Sequence, residues 1–503
     1  MPLSCEAIPK TRIDLFVPTD SFVGQRLQRL FYHCRSLYGV VQQQVATASS
    51  WFKLENIGAS LIASANLSGH NPGMFKLKWT RRTMMFVLGA VILTLVGVIV
   101  AVNLTGSEKK IEQRIERLYA LEDPRFLHEL GVLLGPQFIP GNHHKVLQNG
   151  DEIFPAMLAA IRGARASITF ETYIYWAGDI GKEFADALSE RARNGVKVHV
   201  LLDWIGSAKV EKDLIEKMTQ AGVQIRKFHP PHWSHLGRLN NRTHRKILVA
   251  DGRIAFTGGV GIAPKWTGRA QDPDHWRDTH FEVKGPVVAQ MQAVFLDNWI
   301  KVTGDVLHGP DYFPPLEKVG TSLAQMFSSS PNGGSESMRL MYLFAITAAA
   351  RSIDLSASYF VPDELTTRTL LDAMKRGVKL RIVVPGEHTD SETVRSASRA
   401  TWGPLLAAGA VIAEYRPTMY HCKVMIVDGL LTSVGSTNFD NRSFRLNDEA
   451  TLNIVDAEFA SEQTAIFEAD MLRSRQITFT EWRERPWREK MGERLASLIG
   501  SQL

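Results

Sequence analysis

Cysteine is scarce in this chain. Its three cysteines, Cys5, Cys34 and Cys422, are spread over 503 residues, which excludes a disulfide framework and any zinc-ligand spacing. A large charge excess is also missing. The net charge of +6 suits phosphate-bearing partners but is too small to argue for nucleic acid. With 45% hydrophobic and 22% charged residues, the composition excludes a disordered chain, and the length excludes a single ordinary core. Long apolar runs are absent with one exception. The stretch TMMFVLGAVILTLVGVIVAVNL, 83–104, has no charge and matches the roughly 20 apolar residues that a membrane-spanning helix needs. No small-residue cleavage site succeeds it, so it reads as a single anchor rather than a removable signal peptide.

The segment before this run, 1–82, shows no strong period. Met74 opens MFKLKWTRRTMMF, in which Lys76, Lys78, Arg81 and Arg82 precede the apolar run as in a complete signal anchor, so translation is expected to start there. A short basic N-terminus stays inside by the positive-inside bias, which places the C-terminal bulk of the chain on the outer face of a bacterial inner membrane. Residues 105–144 read as a helical linker, with Ile111, Ile115 and Leu118 as its apolar stripe.

From residue 145 the sequence does the same thing twice. ARASITFETYIYW is echoed by AARSIDLSASYF, RNGVKVHVLLD by KRGVKLRIVVP, and AGVQIRKFHP by AGAVIAEYRP. Each pair alternates helix and strand, which predicts two α/β domains with sheet cores, at 145–308 and 338–480. The Pro-, Gly- and Ser-rich stretch 309–337 reads as their join, and 481–503 as an amphipathic C-terminal helix.

The fourth echo carries chemistry. THRKILVADGRIAFTGGVG sets His244, Lys246 and Asp251 against His421, Lys423 and Asp428 of YHCKVMIVDGLLTSVGSTN. In the second copy, Val424 to Val427 read as a buried strand closed by the Asp428–Gly429 turn, with ionisable residues at both of its ends. One such copy is compatible with an ordinary strand edge; two in register are not. On a strand, residues i and i+2 share a face, so His and Lys reach one pocket. A His can attack phosphorus and hold the phosphoryl group while a second His protonates the departing alcohol. Lys supplies charge for phosphate oxygens, and Ser436 and Asn438 can add hydrogen bonds.

These residues resemble the doubled motif of the phospholipase D superfamily. The stretches NRTHRKILVADGRIAFTGG, WRDTHFEVKGP and LLAAGAVIAEYRPTMYHCKVMIVDGLLTSVGSTNFDNRSFRLNDEATL, with the C-terminal WRERPWREKMGERLASLIG, are similar to bacterial cardiolipin synthases over about 75–500. The resemblance implies two α/β domains with mixed sheets about a pseudo-twofold axis and one site between them. It implies transfer of a phosphatidyl group between phosphatidylglycerol molecules through a phosphohistidine, with glycerol released and no metal or other cofactor. It gives catalytic roles to His244, Lys246, Asp251, His421, Lys423 and Asp428, supporting roles to Asp278 and Glu449, and the nucleophile's role to His244. The partners it implies are phospholipids and the membrane, not nucleic acid. This chain departs from the pattern in two places. Gly261 stands where the second copy has Asn438, and Cys422 stands where a small residue is usual, with its side chain expected to point away from His421.

Other functions remain open at this level. A hydrolytic phospholipase D would carry identical motifs with water as acceptor, a nuclease of the same type would have no use for an anchor, and a non-catalytic scaffold would not need six intact motif residues. His229, His232 and His235 in FHPPHWSH suggest a metal by spacing, but the prolines prevent the helix that would align them. Glu171 and Tyr173 stand where a strand meets the expected pocket, as lining or as core edge. Between Trp482 and the C-terminus, Met491, Leu495, Leu498 and Ile499 form an apolar face suited either to a membrane surface or to packing on the catalytic domain.

Overall fold

The computed structural model describes residues 81–104, 111, 113–117, 119–230, 240–330, 337–497 and 500. Met74 and the rest of 1–80 lie outside the described residues, as do Leu118, His232, His235, Leu498 and Ile499. The compact unit Ala90–Leu503 holds the sheet and every described helix except the start of the first.

In the first half the strands are β1 (Ile139–Gln148), β2 (Ser167–Thr172), β3 (Lys197–Asp203), β4 (Gln224–Phe228), β5 (Arg242–Thr243), β6 (Ile247–Ala250), β7 (Ile254–Gly258) and β8 (Thr279–Lys284). The second half supplies β9 (Ser322–Ser329), β10 (Ser352–Ala357), β11 (Phe360–Val361), β12 (Lys379–Pro385), β13 (Val411–Tyr415), β14 (Lys423–Val427), β15 (Leu431–Gly435), β16 (Phe439–Asp440), β17 (Asn447–Val455) and β18 (Ser474–Ile477). One sheet crosses both halves, in the order β18-β13-β12-β10-β14-β15-β17-β9-β1-β8-β7-β6-β2-β3-β4. Apart from β18, this order reads as the same module from either end, with β1 and β9 antiparallel at the centre. Within each module the inner pairings are antiparallel and the outer ones, β2-β3-β4 and β10-β12-β13, are parallel. The mixed α/β sheet and its two repeated regions are therefore as the sequence predicts.

Burial on both sheet faces explains the unbroken apolar runs. On β14, Val424 and Ile426 enter the core that joins the halves, while Met425 and Val427 enter the outer core of the second half. On β6, Ile247 and Val249 face the joining core and Leu248 the outer core of the first half. The helices Val288–Thr303 and Ala457–Leu472 cover the joining face, through Met291 and Val294 and through Phe459 and Phe467.

Four features differ from expectation. The join 309–337 contains β9, which pairs with β1 and β17 and is the centre of the sheet; its run SLAQMFSS lies beside a Gly/Ser-rich stretch that disguised it. The first module likewise begins at β1, upstream of residue 145. In 105–144 the described helix is only Pro124–Leu134, started by Asp123 accepting from the Arg125 N–H; residues 113–117 form no helix. Their charged sequence offers too little apolar surface to hold a helix by packing. The C-terminal helix is broken at Arg485–Pro486 into Phe479–Glu484 and Trp487–Ser497. It packs through a polar residue: buried Glu493 binds Arg399 and Arg485, whereas Met491 and Leu495 face outward.

The apolar run forms the helix Arg81–Leu104. Its described side chains, among them Phe86 and Leu93, are exposed. Among fully described residues no helix is long and apolar enough to cross a membrane. The side chains of Arg81, Thr83, Val87 and 99–104 lie outside that description.

Candidate active site

The two motif copies enter the joining face at equivalent places. Short parallel pairings across the halves set them there: Arg242 with Asn447, and Arg277 with Tyr420. The His244 backbone N–H donates to the Asp448 carbonyl at 2.9 Å, and that of His421 to the Arg277 carbonyl at 2.7 Å. Each histidine is thus fixed to the residue just before the opposite half's acid, Glu449 or Asp278.

The acids complete this exchange. His244 Nδ1 lies 2.9 Å from Glu449 Oε1, and His421 Nδ1 lies 2.7 Å from Asp278 Oδ2. The pairing is crossed: each acid comes after the motif of its own half and holds the histidine of the other. An ionised carboxylate only accepts hydrogen bonds, so both rings carry hydrogen at Nδ1 and turn Nε2 toward the cavity. Glu449 also accepts from Ser436 Oγ at 2.5 Å and Asn447 Nδ2 at 3.2 Å; Asp278 accepts from Trp266 Nε1 at 3.0 Å and from the Thr279 N–H at 2.8 Å. Burial opposes ionisation of both acids, but the adjacent histidine and these donors hold both below their ordinary range.

Each motif lysine folds back on its own histidine, Lys246 Nζ donating to the His244 carbonyl at 2.7 Å and Lys423 Nζ to the His421 carbonyl at 2.8 Å. Burial pushes His244 down to about 4 and Lys246 down to about 7, and lowers His421 and Lys423 as well. The burial of the pocket therefore disfavours positive charge. A phosphate placed there would reverse that preference.

His244, Lys246, His421 and Asn438 share one cavity of about 650 Å³ with Tyr173, Trp276, Arg242 and Arg442. Tyr173 packs edge-on against the His244 ring at 5.2 Å, and Trp266 stands similarly at 5.3 Å from His421. Asn438 Oδ1 is buried without a partner among the described residues, consistent with an amide that meets a ligand.

Other expected residues have different tasks. Asp251 does not touch a histidine; its carboxylate accepts the backbone N–H groups of Arg165, Ala166 and Ser167. Asp428 does the same for Ala350, Arg351 and Ser352. Both sit at positive φ, 53° and 55°, on the hairpin turn after the motif strand and tie it to the start of β2 or β10. The third motif residue is therefore a clamp on the fold, and its distance along a strand-plus-turn put it at the far end from the pocket. Ser436, expected on phosphate, is fully buried and supports Glu449 instead. Glu171 lies behind the cavity, bonded to Thr243 and Asn298, with burial raising it to about 7. Cys422 points into the joining core, as expected, and burial pushes its thiol up to about 12. His229 stacks on Phe228 at 4.0 Å, and no group of metal-binding type is present among the described residues.

Arg242, Asn447, Trp266 and Trp276 went unnoticed in the sequence. Arg242 was legible, since it continues the alternate-residue row of His244 and Lys246; the tryptophans were not, because their loop reaches the site only through the fold.

Two inward-facing histidines held by exchanged carboxylates, in a sheet made of two copies of one module, define an enzyme of the phospholipase D type. The chain belongs to the family described as cardiolipin synthase, PLD-like domain, whose model matches residues 157–299 and 342–471. It is 34% identical to a cardiolipin synthase of Geobacillus kaustophilus, covering 77% of this chain and 78% of that one. It is 33% identical to cardiolipin synthase A of Pseudomonas fluorescens over 78% of this chain and 80% of that one. Among solved structures, the phosphatidylserine synthase of Haemophilus influenzae shares the fold with a TM-score of 0.60 at 13% identity, over 75% of this chain and 99% of that one.

Proposed function

We propose that this protein is a cardiolipin synthase, transferring a phosphatidyl group from one phosphatidylglycerol to the terminal hydroxyl of another with release of glycerol. The observation that carries the reading is the pair of histidines, each bonded through Nδ1 to a buried acid of the opposite half and both lining one cation-bearing cavity.

In this mechanism His244 Nε2 attacks phosphorus as the bond to the glycerol oxygen breaks, and that oxygen takes a proton from His421 Nε2. The entering phosphate supplies the negative charge that lets His421, backed by Asp278, hold this proton. Lys246, Lys423 and Asn438 stabilise the oxygens around phosphorus. In the second step the acceptor hydroxyl gives its proton to His421, its oxygen attacks phosphorus, and the phosphorus–nitrogen bond to His244 breaks. Water in place of that hydroxyl gives the hydrolytic alternative and phosphatidic acid.

The helix Arg81–Leu104 is taken as a single anchor in a bacterial inner membrane, with the catalytic domain on the outer face and its substrates in the same bilayer. The test is incubation of the membrane fraction with labelled phosphatidylglycerol. Cardiolipin and free glycerol are expected; phosphatidic acid as the sole lipid product would replace the reading with hydrolysis. Protease added to intact spheroplasts should cut the catalytic domain, and full protection until lysis would reverse the orientation.

A further inference from the structure

We propose that Arg242 and Arg442 form a second phosphate-binding subsite beside the catalytic histidines, which takes the phosphodiester of the acceptor lipid. The inference rests on the transferase reading above and names how the acceptor is recognised.

Arg242, His244 and Lys246 all line the cavity, whereas Thr243 and Arg245 between them do not. This alternation puts Arg242 one extended step from His244, about 6.8 Å along the chain. The residue is buried, at 8% exposure, yet it makes no ion pair among the described residues. Its hydrogen bond goes to the Asn241 carbonyl, and it lies 5.5 Å from the Trp204 ring. Asp203, whose charge acts on it, spends its oxygens on the backbone N–H groups of Ile205, Gly206 and Thr243. Arg442 comes from the other half, oriented by two hydrogen bonds to Asn240. It lines the same cavity and its charge weakens proton binding by Arg242. Arg242 is thus a buried charge with no ion pair among the described residues, which is unfavourable unless an anion joins it.

The cavity's own acids are engaged elsewhere. Asp390 accepts from the Tyr359 hydroxyl at 2.6 Å, and Asp440 caps the Ser443 N–H, with burial raising it to about 6. The arrangement is also one-sided. The motif alignment places buried Met419 opposite Arg242, and opposite Arg442 it places Lys265, which is ion-paired with Asp274 at 2.6 Å. Lys209 and Lys265 line the cavity too, but Lys209 lies over the Trp176 ring and Lys265 is ion-paired, so neither repeats the buried, unpaired Arg242.

The spacing fits the chemistry of the acceptor. In the product two phosphates are joined through one glycerol, a six-bond tether that spans about 7 Å at ordinary bond lengths. A phosphate at the histidines then puts the acceptor's own phosphate within reach of Arg242. An uncharged alcohol has nothing to offer this pair.

The experiment compares two reactions of the full-length protein in phosphatidylglycerol vesicles: cardiolipin formation, and exchange of labelled free glycerol into phosphatidylglycerol, which needs no second phosphate. In Arg242→Gln and in Arg442→Gln the ratio of cardiolipin formed to glycerol exchanged should fall roughly tenfold or more, the change expected for one lost charge-assisted hydrogen bond. Arg242→Lys should keep the ratio above that of Arg242→Gln. An unchanged ratio in both Gln variants overturns the proposal, whether the two reactions persist or decline together. A wild-type protein that exchanges glycerol but makes no cardiolipin removes the transferase reading, and the acceptor subsite with it.

Discussion

The two motif copies share a backbone and differ in what surrounds it. In the second half Ser436 supplies a hydroxyl to Glu449; in the first half Gly259 stands at that place, and a Cβ there would come within 2.3 Å of Asp278. Asp278 takes the vacated space and obtains its side-chain donor from Trp266. Asn438 reaches the cavity, whereas its counterpart Gly261 has no room for a side chain, a Cβ meeting Ile174 at 2.8 Å. The residue between His and Lys is Arg245 in one copy, bonded to the Val294 and Ser329 carbonyls, and Cys422 in the other, set in the apolar joining core. Duplication has kept the hydrogen bonds that aim each imidazole and released the rest. The site is symmetric in its chemistry and asymmetric in its walls.

The largest test of that symmetry is removal of either histidine. His244→Asn and His421→Asn should each lower turnover by at least about a thousandfold, because in the proposed mechanism one loses the nucleophile and the other the proton donor. Acid-labile, base-stable phosphatidyl label should accumulate on His244 in the His421 variant and be absent from the His244 variant; label retained after His244 is replaced would exchange the two roles.

Next come the crossed carboxylates. Glu449→Gln and Asp278→Asn should each cost roughly 10- to 100-fold in kcat, the usual effect of losing the group that orients an imidazole. The crossing is read by imidazole NMR titration: Glu449→Gln should move the pKa of His244, on the other half, and leave His421 nearly in place. A shift confined to His421 would contradict the exchanged pairing.

The motif aspartates should separate folding from chemistry. Asp251→Asn and Asp428→Asn each weaken a carboxylate that gathers three backbone N–H groups, a loss of about 1–3 kcal/mol by thermal or denaturant unfolding. The kcat of the protein that remains folded should stay within about threefold, since neither carboxylate touches a histidine. A loss comparable to that of a histidine variant would return them to the chemistry.

The last test concerns pH dependence of stability rather than of turnover. His244 falls from 6.5 to about 4 on folding, so between those values the unfolded chain binds more protons, and stability rises with pH across that window and is complete above it. Acidification from pH 6.5 to 4 should therefore lower the Tm of the wild type more than that of His244→Asn. Parallel Tm curves would show that His244 does not titrate in that window.

The acids Asp278 and Glu449 were reached through the resemblance to the phospholipase D superfamily; the helix–strand alternation, the doubling and both His-x-Lys pairs were determined by the sequence alone. They depend on alternation along a strand and on local turn chemistry, which a chain carries within a few residues of itself. The role of β9 was obscured because a central strand is defined by its partners, β1 and β17, which lie far away in sequence. The same holds for the site. That Glu449 serves His244 and Asp278 serves His421, that Ser436 faces an acid rather than a phosphate, and that Asp251 and Asp428 clamp backbone are facts of tertiary structure. Which carboxylate meets which imidazole depends on how the two halves meet across the joining core, and contacts between residues some 200 apart leave no periodic trace in the chain.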